Sequence, residues 1–123
     1  HPELLEKLNQ IIHPAVKQYI REQLAVKKQQ GQKICVVEAA LLLEDHYQEF
    51  CDTIWYIHTD EEIRIQRLME NRGYTREKSV SIIASQAPEV FFRANADYVV
   101  VNNGDFAQTR RQIEEGIRKY ETL

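Results

Sequence analysis

The chain has four glycines, Gly31, Gly73, Gly104 and Gly116, and no two of them stand close together. A phosphate-cradling loop of the form G-x-x-x-x-G-K-[ST] needs grouped glycines so that its backbone N–H groups can close round an anion, and no such loop is present. The same scarcity excludes a dinucleotide fingerprint. Two cysteines, Cys35 and Cys51, have neither metal-ligand spacing nor the density of a disulfide scaffold, so they read as buried thiols. No apolar run approaches the roughly 20 residues that cross a bilayer, and the opening HPELLEKLNQ lacks the basic and then apolar regions of a signal peptide. The expectation is a cytoplasmic chain with no membrane partner. A basic excess is missing too. With 16 Lys and Arg against 19 Asp and Glu, the net charge of -3 gives no reason to expect nucleic-acid binding. No zinc motif or Ser-His-Asp grouping occurs, and no metal ligand is assigned.

What is present, 43% apolar and 28% charged residues in a chain of 123, suits one globular domain with a single core. Apolar residues at 4, 5, 8, 11, 12, 15, 16, 19, 20 and 24 keep a helical period, interrupted by Pro14. Proline restricts the residue before it, so the pattern predicts one helix at about 3–12 and another at about 14–29, ended by Gly31. Ile34–Val37, Thr53–His58 and Tyr98–Val101 read as short buried strands. Thr59 with Glu62 is a capping box for a helix that stops near Gly73. Further helices are expected at about 76–86, presenting Val80, Ile83 and Ala84, and after Pro88. The last helix is capped by Asp105 and Gln108, with Phe106, Ile113, Ile117 and Tyr120 inward. Trp55, Tyr56, Phe91 and Phe92 read as core. Helices alternating with short apolar strands define an α/β class, a parallel sheet with helices on both faces.

Ligands of such sheets bind beyond the carboxyl ends of the strands. Glu38, Thr59–Asp60 and Asn102–Gly104 stand just past the three expected strands. Glu38 could hold a metal-bound water or orient an acceptor hydroxyl, or it could cap its loop or pair with an arginine. The segment RIQRLMENRGYTREK carries Arg64, Arg67, Arg72, Arg76 and Lys78 against Glu70 and Glu77. Such an arm could close over a polyphosphate, since the guanidinium fork bonds phosphate oxygens in pairs; composition alone favours the alternative, a solvated helix surface with i,i+4 pairing. His13 suits a ligand contact or a helix joint, and Asn102-Asn103-Gly104 is by composition a turn.

Together, LNQIIHPAV, VVEAALLLEDHY, IQRLMENRGYT, the isolated Gln86 and ADYVVVNNGD resemble the dephospho-CoA kinase family, over about residues 4 to 120. The resemblance implies a P-loop NTPase-like fold and ATP- and Mg2+-dependent phosphorylation of the ribose 3′-hydroxyl of dephospho-CoA. It also implies a helical lid at about 60–87. Arg67 and Arg72 would neutralise phosphate charge as the lid closes, although their separation of five replaces an expected four. Glu38 takes the family's acidic place before Ala40, where the family has proline, and would serve catalysis and the acceptor end. His13 would lie on the acceptor side, and Asn102 and Gly104 would border the adenine.

The family's first strand, P-loop and second strand have no counterpart in this sequence, so the resemblance covers a C-terminal portion with an incomplete sheet. In a strand order of 2-3-1-4-5 the missing first strand separates Ile34–Val37 from Thr53–His58. These two are therefore expected to pair directly, or to be completed by another copy through self-association or exchange of elements. The 123 residues alone are expected to be inactive. Two other readings stay open at this point, a non-catalytic binding or assembly module and another nucleotide monophosphate kinase.

Overall fold

The computed structural model describes residues 1–121, and the chain divides into two compact units, His1–Asp52 and Thr53–Leu123. In the first, helix α1 runs unbroken over Pro2–Gln29 with Pro14 inside it. The two helices expected on either side of Pro14 are thus one. An interior proline costs about 3 kcal/mol through one lost hydrogen bond and a ring clash. Two helices in place of one would leave a second set of terminal N–H and C=O groups without helical partners. Keeping the helix whole sacrifices less. It ends as expected at Gly31, whose φ of 80° allows the N–H of Gly31 to reach Lys28 O and that of Gln32 to reach Lys27 O.

Ile34–Val37 is not a strand. The segment enters no ladder, and Val36 is 87% exposed. A short apolar run becomes a strand only where a neighbour takes its N–H and C=O groups. The direct pairing expected for it with Thr53–His58 is therefore not formed. Leu41 to Tyr47 instead coil through turns, with His46 left-handed at φ 60°, into a 3₁₀ turn at Tyr47–Phe50. Leu43 and Tyr47 are the buried apolar residues here. Three cationic or ionisable side chains one helical turn apart on α1 hold this turn. His13 Nδ1 lies 3.5 Å from Asp45, Lys17 Nζ sits 5.7 Å from the Tyr47 ring centroid, and Arg21 lies over Phe50 and beside Glu49. Cys35 is exposed and Cys51 half-buried, which corrects the expectation of buried thiols.

The second unit is α/β. Strands β1 (Trp55–His58) and β2 (Tyr98–Val101) pair in parallel, Trp55 opposite Tyr98 and His58 opposite Val101. Helices α2 (Glu61–Arg72), α3 (Arg76–Ala84) and α4 (Glu89–Asn95) form the crossover between them, and α5 (Phe106–Glu121) follows β2. Side chains alternate across the sheet. Trp55 and Tyr98, with ring centroids 4.8 Å apart, face Gly116 of α5, while Tyr56 stacks on Phe92 of α4 at 5.4 Å on the other face. These aromatics are half-buried, not a sealed core; among the described residues of this unit Val100, Ile65, Ser79, His58 and Thr109 are the buried side chains. Ser79 donates to Thr75 O and takes the inward place expected of Val80 and Ala84, which are exposed.

Helix ends follow partner strength. Thr75 caps α3 by accepting from the N–H of Lys78, and Asp105 Oδ1 accepts from the N–H of Gln108 at 2.9 Å. The Thr59–Glu62 box is not formed: α2 starts from Asp60, whose side chain makes no capping bond, Thr59 donates to Asn102 O, and Glu62 bonds both terminal nitrogens of Arg76 at 2.7 and 2.9 Å. A two-pronged, charge-assisted pair outweighs a neutral cap. Phe106, expected inward, is 76% exposed. A four-residue strand spans about 13 Å and a 16-residue helix about 24 Å, so the first turn of α5 overshoots the sheet. At the outer edge of β2, Gln112 closes the ladder, its Oε1 accepting from the Val101 N–H at 2.7 Å and its Nε2 donating to Val101 O at 2.8 Å.

Candidate functional site

Parallel pairing brings the carboxyl ends of β1 and β2 to one edge, and the residues just past them interlock. The Asn102 N–H donates to His58 O at 2.7 Å, prolonging the ladder by one step. The Asn102 carbonyl then accepts from Thr59 Oγ1 at 3.1 Å and from Arg67 Nη1 at 3.0 Å, and its side-chain oxygen accepts from Thr109 at 2.8 Å. Asn103 Oδ1 accepts from the N–H of Asp60 at 2.8 Å, tying the start of α2 to the loop after β2. Hydrogen bonds from His58 and then from Asn103 hold the Asp60 carboxyl below the usual carboxylate range.

Arg67 is part-buried at this edge, and among the described residues no carboxylate pairs with it. Its charge rests on carbonyl and hydroxyl oxygens, which an anion's oxygens can replace. Arg72, five residues on, lies about 140° further round the helix, where it is exposed and makes no ion pair among the described residues. Arg64, three residues before Arg67 on nearly the same face, donates to Gln86 Oε1 just beyond α3. Gly104 leaves room for the Gln108 side chain, whose Oε1 would lie 2.5 Å from an added Cβ.

Of the expected site residues, Arg67, Asn102 and the Gly104 loop share this edge. Glu38 and His13 belong to the first unit. Glu38 is exposed in a segment without strand structure, so the strand tip expected there is absent; His13 is half-buried against Asp45. Thr59, Asp60, Asn103 and Thr109 bind the site together and were not among the expected site residues. The signal available for the first three was position alone, immediately after a parallel strand. Thr109 had none, since its side chain reaches Asn102 only because α5 folds back.

The dephospho-CoA kinase family model matches residues 1–108. The chain belongs to the dephospho-CoA kinase family. Curated members from Geobacillus kaustophilus and Shouchella clausii are 33% and 32% identical over 96% and 93% of this chain. The chain spans about 59% and 58% of their lengths. Among solved structures, TT1252 from Thermus thermophilus superposes with a TM-score of 0.71 at 24% identity, over 97% of this chain and 61% of that one. A dephospho-CoA kinase from Campylobacter jejuni gives 0.68 at 22%, over 98% and 59%. At that identity the two structures speak for the family's fold. Among the described residues no helix is long and apolar enough to cross a membrane.

Proposed function

We propose that the protein built from these residues is a cytoplasmic enzyme that transfers the γ-phosphoryl group of ATP to the ribose 3′-hydroxyl of dephospho-CoA. The observation that carries the reading is Arg67, a part-buried guanidinium at the carboxyl edge of a parallel sheet, unmatched by a carboxylate among the described residues and resting on the Asn102 carbonyl. Phosphoryl transfer is mostly positioning and neutralisation of charge on three oxygens, which such a group supplies. Arg67 exchanges its carbonyl contact for phosphate oxygens, the excursion at about 60–87 acts as the lid, and Asn102 and Gly104 border the adenine. Arg72 adds a second cation from the end of α2. Glu38 and His13 serve the acceptor end.

Mg2+ would supply charge neutralisation across the phosphates. It binds through one or two carboxylates plus substrate oxygens. Among the described residues no group of three or more His, Cys, Asp or Glu is placed so that it could hold a metal ion, and none is assigned to hold it. The 123 residues contain no phosphate-cradling glycine loop, so by themselves they should turn over no ATP.

A chimera tests this. Joining the chain to the unmatched part of the Geobacillus kaustophilus relative should restore ATP- and dephospho-CoA-dependent formation of a 3′-phosphorylated product, read by 31P NMR. Arg67→Ala in the chimera should lower kcat about 10²–10³-fold with little change in Tm. A folded chimera that binds ATP yet phosphorylates only another nucleotide, or none, overturns the reading.

A further inference from the structure

His58, the last residue of β1, is buried, and both of its ring nitrogens face partners. Nε2 lies 2.8 Å from Asp60 Oδ1, while Nδ1 lies 3.2 Å from the Tyr56 hydroxyl and 3.5 Å from Glu89 Oε1. An ionised carboxylate only accepts, so Nε2 carries the hydrogen and Nδ1 of the neutral ring accepts from Tyr56. The positions of the two acids matter more than their charge. Asp60 stands at the N-cap position of α2, and Glu89 is the first residue of α4. The chain leaves the sheet at one and begins its return at the other, so a single imidazole stands between both feet of the helical excursion.

We propose that His58 is a positioning residue that pins the first turn of α2 to the first turn of α4: Nε2–H holds Asp60, and Nδ1 takes the hydroxyl of Tyr56, whose ring stacks on Phe92 of α4. Glu89, facing Nδ1 at 3.5 Å, is held by Arg93 of the same helix. Arg64 of α2 acts, with Arg93, on the Tyr56 hydroxyl, and β2 presents the apolar Val101 opposite. Asp60, held below the usual carboxylate range, is the ionised acceptor that Nε2–H needs. The pin's value for catalysis rests on the kinase reading, because α2 carries Arg67; the pin itself does not.

The test uses the 123-residue chain and no substrate. Long-range 15N spectra at about pH 8, where imidazole side chains are neutral, should show the Nε2–H tautomer of His58. In His58→Gln, amide exchange corrected for its intrinsic rate should accelerate about tenfold or more in the first turns of α2 and α4 together, and much less in α5. An Nδ1–H tautomer overturns the proposal. So does acceleration confined to one helix or spread equally to α5. Should His58→Gln fail to fold, the tautomer still decides. Turnover enters none of these readouts, so an inactive chimera leaves the pin standing, and a failed pin leaves Arg67 untouched.

Discussion

Ile34–Val37 and Tyr98–Val101 are apolar runs of equal length, ICVV and YVVV, with opposite fates. The second is a strand with Val100 wholly buried; the first has no ladder and leaves Val36 87% exposed. Composition does not separate them. The neighbours do: β2 has β1 on one side, α5 against its face and the Gln112 amide closing its last outward N–H and C=O. A run of β-branched residues is an offer of a strand, and the neighbouring chain decides whether it is taken up. The two long helices repeat the contrast. α5 buries Thr109 and Gly116, whereas α1, with a regular apolar stripe, buries no side chain fully.

The comparison breaks most sharply if the two valines answer alike to a charge. Val100→Asp would bury an unpaired carboxylate and should cost more than about 4 kcal/mol, enough to unfold the sheet unit. Val36→Asp should change stability by less than about 0.5 kcal/mol. Circular dichroism melts of both variants check this, and equal losses would mean that Ile34–Val37 has a partner in solution.

Two glycines carry the same lesson at a smaller scale. A Cβ on Gly116 would lie 2.6 to 2.9 Å from ring atoms of Trp55 and Tyr98, and aromatic rings between a helix and a sheet cannot slide aside cheaply. Gly116→Ala should therefore cost about 1–3 kcal/mol by overpacking. Gly31 meets nothing within 4 Å, but its φ of 80° is unfavourable for any residue with a Cβ. Gly31→Ala should cost about 1–2 kcal/mol and fray the end of α1 locally. Hydrogen exchange separates the cases, global for Gly116 and confined to the last turn for Gly31.

Much of the local structure was legible in the chain for reasons these variants expose. Gly31, Gly73 and Thr75 end or begin helices through their own backbone preference or side-chain reach, so their neighbours in sequence suffice. Pro14 misled because a break is a global comparison between one long helix and two short ones, which a local rule does not make. Thr59 and Glu62 misled because each had a stronger partner far along the chain, Asn102 and Arg76. The site divides the same way. Arg67 and Asn102 could be nominated from motif and strand position, but the bonds that assemble them need the parallel register of β1 and β2, which no sequence spacing encodes. Glu38 was nominated from a strand that requires a neighbour, and without the neighbour its tip does not exist.

Acid gives the mildest probe of the sheet unit, acting on the polar ties that follow its strands. Hydrogen bonds from His58 and Asn103 depress the Asp60 carboxyl, and the bond from Arg76 depresses Glu62. A carboxyl whose folded value lies below its unfolded value, about 3.9 for Asp and 4.3 for Glu, stabilises the fold above that unfolded value. The contribution is lost as the pH falls through the folded value. Between about pH 6 and pH 5 these two groups should leave Tm flat, and below about pH 4 they should begin to lower it. Both sit on the exposed face, where solvent screens them, so the fall should be shallow. Asp60→Asn with Glu62→Gln should lower Tm at pH 6 and flatten its descent in acid. If the doubly substituted chain loses stability in acid as steeply as the native one, the ties that follow β1 contribute nothing, and the sheet unit is held by Val100, Gly116 and their rings alone.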